Sequence, residues 1–264
     1  MSDFHEPLAV AGSTVILSFS PFDIAFCCIV MVLCYALRGS TGFGAAAAMP
    51  LLGLVIPLKV LIPAWTLVGL AASITLFGQD RHHVAWSHIL RLSVPCLAGV
   101  LLGLYLFDTL DSIWLAKGLG VLVLIYGGHS LWKTGRPTSH WNVSAHAAAP
   151  AFGLIGGAVG TTFGTMASLF FAAYLDAIRL GKEQFRATMS AILLALVLAR
   201  GAGYWALGEY TREVLAIAAI GLPLMLIGIF VGNRVHTGLS DLAFRRAVSL
   251  ALIVSGLALL AKAG

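Results

Sequence analysis

The sequence predicts an all-α, polytopic membrane protein with about ten membrane segments, arranged as two duplicated, inverted halves with broken helices. Three observations carry this expectation. Of 264 residues, 59% are hydrophobic and 10% charged, with a mean hydropathy of +0.96, against about 25% charged residues in soluble domains. Apolar runs recur along nearly the whole chain, many close to the roughly 20 residues a helix needs to cross the hydrocarbon core. The 29 glycines fall inside those runs rather than in linkers, as membrane helices tolerate because small residues let backbones approach closely.

The runs lie at 22–37, 43–56, 60–79, 88–107 and 112–132, and again at 147–161, 163–178, 185–207, 213–233 and 241–261. Between the two sets stands one hydrophilic connection, with Lys133, Arg136, Pro137, His140 and His146. This divides the chain into an N-terminal segment (1–20), a first repeat (21–135), a linker (136–146) and a second repeat (147–264). Residues 8–20 are themselves fairly apolar, suiting a surface helix or an extension of the first span. Met1–Pro7 carries Asp3 and Glu6 and no basic region, so no secretory signal is expected.

The halves resemble each other in order. Phe43-Gly44 matches Phe163-Gly164 at an offset of 120; later Gly103 matches Gly232, Lys117 matches Arg246 and Gly127 matches Gly256 at 129. Pro95, Gly99 and Gly103 reappear as Pro223, Gly228 and Gly232. Small loop insertions after a duplication would produce that drift. Lys and Arg counted on alternate loops of five spans per half split 11 to 4, with Arg200 left near a membrane segment. If the second segment of each half only dips in and returns, the split becomes about 9 to 6. The positive-inside tendency therefore favours ten crossings with both termini outside. An odd number per half makes the repeats inverted, as in many secondary transporters.

Function is expected at two glycine-dense breaks in corresponding places. One is Arg38-Gly39-Ser40-Thr41-Gly42-Phe43-Gly44; the other runs from Gly156 to Thr165 and includes Gly160, Thr161, Thr162, Phe163, Gly164 and Thr165. Glycine costs a helix about 1 kcal/mol relative to alanine, so several together interrupt it. Interrupted backbone survives at membrane depth only where protein or a cavity surrounds it. Each new helix then turns free N–H groups and a positive dipole end toward the break. Two such ends facing each other, with the Ser40, Thr41, Thr161, Thr162 and Thr165 hydroxyls, would hold a small anion. The plainer reading is a seam of small residues packing helices.

Glycine-rich breaks leading into apolar runs, Pro50-Leu51-Leu52, the Trp86 region, the Gly99/Gly103 and Gly228/Gly232 pairs and the duplicated layout resemble the TauE/SafE sulfite exporter family. The resemblance covers nearly all of the chain after residue 20. It implies movement of sulfite, sulfonates or related small sulfur-containing anions across the inner membrane, usually outward. The sequence departs from the usual glycine triplet, with Ala45, Ala46 and Ala47 after Gly44, and Thr165, Met166 and Ala167 after Gly164; Pro50 has Phe170 as its counterpart.

Arg200 ends an apolar run. If deep, it faces a cavity and pairs with an anion; if near a helix end, it snorkels. Arg38 suits an anion contact or a cytoplasmic flank. Asp23 and Asp176 are the carboxylates that could lie within a span, and Asp23, after Pro21-Phe22, reads as a helix start. His129 reads as a buried, hydrogen-bonded histidine, and His82, His83 and His88 as a solvated loop, with metal binding the alternative. The tryptophans fall mostly near span ends, as interfacial anchors do. The cysteines show no metal or redox spacing and read as small buried hydrophobes.

The function expected is thus secondary transport of a small anion. A passive anion channel is the alternative and an intramembrane enzyme the remoter one. No GxSxG, HExxH or Walker-type GxxxxGK[ST] stretch occurs, and no cofactor or metal is expected. The partners are the anion, the bilayer and, as an open option, a second copy of the chain. The net charge of +5 reflects cytoplasmic loops rather than nucleic acid, for no basic face with aromatic platforms appears.

Overall fold

The structure, a computed structural model, describes residues 20–41, 47–133, 145–178, 180–234 and 241–263. These form α1 (Pro21–Thr41), α2 (Ala48–Leu52), α3 (Leu58–Asp80), α4 (Trp86–Thr109), α5 (Ser112–Lys133), α6 (Ala145–Thr162), α7 (Ala167–Ala177), α8 (Lys182–Ala206), α9 (Arg212–Arg234) and α10 (Asp241–Ala263). A 3₁₀ turn, Arg81–His83, leads into α4. Every predicted segment has its helix, and no strand occurs among the described residues. Among the described residues, five helices, α3, α4, α5, α8 and α9, are long and apolar enough to cross a membrane. Asp23 is the helix start that its setting suggests. The Asp23 carboxylate accepts the Ser20 N–H at 3.0 Å and the Ser20 hydroxyl accepts the Asp23 N–H at 3.2 Å, a reciprocal capping box.

Packing pairs the helices across the two halves. The broadest contact, α4 on α6, is matched by α9 on α1; α5 meets its own counterpart α10, and α3 meets α8. Glycines set these crossings and reveal their register. A Cβ on Gly99 would meet the Leu154 carbonyl and the Ala158 N, and one on Gly228 would meet the Val32 carbonyl and the Ala36 N. Gly103 and Gly232 likewise abut the carbonyls of Ala158 and Ala36. Gly99 and Gly228 are 129 residues apart, whereas Val32 to Leu154 and Ala36 to Ala158 are each 122. The α1/α6 register therefore differs by two residues from the 120 that the Phe-Gly match suggests.

Chain direction follows from side-chain ties at the helix ends. The Lys59 ammonium donates to the carbonyls of Phe107 and Asp108, and Lys262 donates to the Leu54 carbonyl at 2.7 Å, so these ends share one face. His83 with Glu183 at 3.6 Å, Ala85 N–H on Thr188 at 3.0 Å, and His88 with Tyr174 at 3.3 Å mark the other. From the Lys59 face to the His83 face run α3, α5 and α9; α4, α8 and α10 run back. Corresponding helices therefore point in opposite senses, and the halves are inverted. The second segments are short: α2 has 5 residues and α7 has 11, or about 8 and 16 Å at 1.5 Å per residue. Neither length crosses a core about 30 Å thick, so the ten-crossing count gives way to a helix that enters, breaks and returns in each half. The face order of the other helices is unchanged, because the returning arm restores the side from which it came.

Two other expectations are corrected. His129 is exposed on the outer side of α5 rather than buried, since Gly127 and not its neighbour meets α10. Trp65 sits inside the core at 4% exposure, its ring 5.1 Å from that of Tyr35, and is no interfacial anchor.

Candidate functional site

α6 ends inside the protein. Its last turn, Gly160–Thr162, lies level with Gly103 of α4, whose carbonyl accepts the Thr162 hydroxyl at 3.3 Å. Gly156 and Gly160 leave room for the Phe171 ring and the Ala167 methyl of the returning α7. The reversal itself uses Gly164 at φ 69° and Met166 at φ 66°, a region where residues other than glycine are strained. Met166 offers no side-chain cap to α7.

A helix end leaves four carbonyls without intrahelical donors, and at this depth no bulk water replaces them. Three are accounted for. Val159 accepts from Phe163 N–H at 3.0 Å, Gly160 from Arg200 Nη1 at 2.6 Å, and Thr161 from the Tyr204 hydroxyl. Arg200 and Tyr204 stand four apart on α8 and therefore share one face. The guanidinium also suits the negative end of the α6 dipole. Arg200 is 4% exposed, so of the two sequence readings it is the deep one; it lies six residues, about 9 Å, from the last residue of α8. Thr161, Thr162 and Thr165 are buried beside it. Thr161 Oγ1 finds no hydrogen-bond partner among the described residues.

The opposite half supplies the other wall. Gly69 of α3 opens toward Arg200 Nη2, and Gly164 meets the Met49 methyl of α2 and Ile62 of α3. The second break thus rests against the short helix that follows the first one. Of the first break, α1 contains Arg38, Gly39, Ser40 and Thr41 at its end as backbone, while Gly42, Phe43 and Gly44 lie outside the described residues. The structure therefore brings together Gly160, Thr161, Thr162, Phe163, Gly164, Thr165 and Arg200.

Sequence reasoning missed Tyr204, Tyr210 and Glu209. Tyr204 is fully buried, edge-on to Phe107 at 4.9 Å, and the Tyr210 hydroxyl donates to the Gly201 carbonyl at 3.1 Å. The spacing Arg200-x-x-x-Tyr204 was the available signal. Glu209 caps the end of α8 through its backbone, Glu209 N–H to Tyr204 O at 3.0 Å. Burial holds its carboxyl above the usual range; Lys59 opposes that and Asp108 adds to it. A separate cavity of about 140 Å³ lies between α1, α2, α3 and α9, with Asp23 among its lining residues. Its walls are almost wholly hydrocarbon and Arg200 is not among its lining residues, so it offers an anion nothing.

Inverted halves, a returning broken helix and a buried cation at the break are a layout of membrane transporters. Residues 27–259 match the model of the family described as sulfite exporter TauE/SafE, and the chain belongs to that family. It is 27% identical over 197 residues to the "Probable inner membrane transporter protein TsaS" of Comamonas testosteroni, covering 73% of this chain and 80% of that one. No solved structure matches. The protein is a multi-pass transporter of the inner membrane.

Proposed function

We propose that this transporter exports a small sulfur-containing anion, sulfite or an organosulfonate, and binds it where α6 breaks against Arg200. One observation carries the reading: a guanidinium that cannot lose its charge is held at 4% exposure inside a membrane protein, beside the buried Thr161 hydroxyl, which finds no hydrogen-bond partner among the described residues. A cation at this depth is costly and is kept where it has work to do. The Arg200 Nη1 donates to the Gly160 carbonyl, and a planar guanidinium fork matches the paired oxygens of a sulfonate or sulfite better than an ammonium does. The repeats 21–135 and 147–264 form the two arms that alternate around the site. In the sequence most Lys and Arg fall on the loops of the His83 side, which supports reading that face as cytoplasmic by the positive-inside tendency.

The test is thermal stabilisation of the purified protein by sulfite, sulfoacetate, taurine, isethionate, thiosulfate and sulfate. A ligand at one hundred times its Kd adds about 2.7 kcal/mol to the folded state. Thr161→Ala is expected to melt as the wild type does without ligand and to lose roughly tenfold in affinity, since a hydrogen bond to a charged group is worth about 1.5–3 kcal/mol. Unchanged affinity in both Thr161→Ala and Arg200→Lys would remove the anion from this place.

A further inference from the structure

The wall that the first half gives to the Arg200 group is Gly69 of α3. It is buried in the middle of a helix of 23 residues, where glycine is the poorest helix former after proline. Close packing does not call for it. On Gly99, Gly157, Gly228 and Gly232, the glycines of the cross-half seams, a Cβ would stand 2.0–2.7 Å from a facing carbonyl oxygen. A Cβ on Gly69 would meet one described atom within 4 Å, the Arg200 Nη2 at 3.8 Å, which is ordinary contact. On α8, Gly201 beside Arg200 is nearly as open: a Cβ there would stand 3.4 Å from the Tyr210 hydroxyl and 3.6 Å from Thr66 Cγ2. Thr66 precedes Gly69 by three residues and shares its face of α3. Its hydroxyl donates back to the Ile62 carbonyl at 2.9 Å, which leaves the methyl toward Gly201. The surroundings of Arg200 thus differ in chemistry from side to side. At the α6 break are the buried Thr161, Thr162 and Thr165 hydroxyls, and Thr161 Oγ1 finds no hydrogen-bond partner among the described residues. On α3 there is carbon and hydrogen.

We infer that Gly69 sets the size of the anion that Arg200 accepts. This deepens the proposed anion site and rests on it. The anion's oxygens go to the guanidinium and to the threonine hydroxyls, where charge-assisted hydrogen bonds form. Whatever the anion carries beyond its oxygens turns toward α3, into the space that a side chain at position 69 would fill. Arg200 Nη2 and the Thr66 methyl border that space, so it suits a short hydrocarbon group attached to a charged head. The halves divide the work: the second holds the charge, and the first limits what is attached to it. A single methyl on Gly69 would take up this room while staying at van der Waals distance from Nη2, so it changes size and leaves charge alone. One methylene of room in a pocket discriminates by about 10–200-fold.

The experiment measures the affinities of the purified full chain for sulfite and for isethionate at one pH, by ligand-dependent thermal stabilisation. Sulfite ends at its oxygens, whereas isethionate carries a short hydrocarbon tail. Without ligand, Gly69→Ala is expected to melt at or above the wild type, since alanine suits a helix better and meets ordinary contact there. It should lose isethionate affinity roughly tenfold or more, and sulfite affinity much less. Gly69→Ser, whose hydroxyl can bond back to the Trp65 carbonyl, should give the same result and carries the test if the alanine variant does not fold. Gly128→Ala, with nothing within 4 Å, should keep the wild-type ratio of the two affinities. An unchanged ratio in a folded Gly69 variant would overturn the size limit and leave the anion site standing, as would wild-type protein stabilised by sulfite alone. Wild-type protein stabilised by neither anion would overturn the anion site, and the size limit with it.

Discussion

Gly99→Ala tests whether the cross-half seam holds the architecture together. The new Cβ would lie 2.2 Å from the Leu154 carbonyl oxygen and 2.8 Å from the Ala158 N. Ordinary contact begins near 3.4 Å, so the shortfall is about 1.2 Å. Both atoms met are backbone, so no rotamer change relieves the clash and α4 must move away from α6. Inserting a methyl into packed space costs about 1–3 kcal/mol. A gap of 0.5–1 Å along the rest of the seam forfeits a quarter to a half of each dispersion contact there. Alanine's better helix propensity returns up to about 1 kcal/mol. The net loss is roughly 1–2 kcal/mol, or a few degrees of melting temperature at 2–4 °C per kcal/mol, read by thermal unfolding of the purified protein. Gly232→Ala, whose Cβ would stand 2.0 Å from the Ala36 carbonyl, should behave alike, because it meets backbone in the matching seam of the other half, about one turn beyond Gly228, the counterpart of Gly99. Gly128→Ala has nothing within 4 Å and should melt at or above the wild type. If Gly99→Ala and Gly128→Ala melt together, the seam is not where the reasoning places it.

Two further substitutions probe the break. Tyr204→Phe removes the donor to the Thr161 carbonyl without changing charge or shape, and should cost about 1–3 kcal/mol of stability in the same melting assay; no change would mean that water or another donor serves that carbonyl. Met166→Gly relieves a left-handed residue, φ 66°, worth roughly 1–2 kcal/mol, but removes a buried side chain worth about as much, so stability should change little. Gly164→Ala at φ 69° gains no such offset and should lose stability; equal melting of these two variants would refute the strain argument.

Much of the fold was legible in the chain. All ten segments fall where apolar runs predict them, because helices in lipid must be continuous and apolar for their length. The inverted layout was legible in the loop charges and in the recurrence of Gly99/Gly103 as Gly228/Gly232. The second break was legible too, in Gly160 to Gly164. Other features were not. Arg200 reads identically in sequence whether it snorkels or is buried, since its depth depends on where α6 stops beside it. Tyr204 looks like any aromatic in an apolar run until the Thr161 carbonyl is seen to need a donor. Glu209 looks like a loop carboxylate until the fold half-buries it at the end of α8.

The sequence by itself determined that the chain lies in the membrane, that it is duplicated, and where α6 must fail, because hydropathy, recurrence and glycine content are local properties of the chain. Tertiary structure alone decided that the second segments are too short to cross, that α1 and α6 align at an offset of 122, and which side chains cap the broken helix. The physical reason is that backbone groups left open by a break have to be satisfied by whatever packs against them, here α8 on α6, and that partner is chosen through space rather than along the chain.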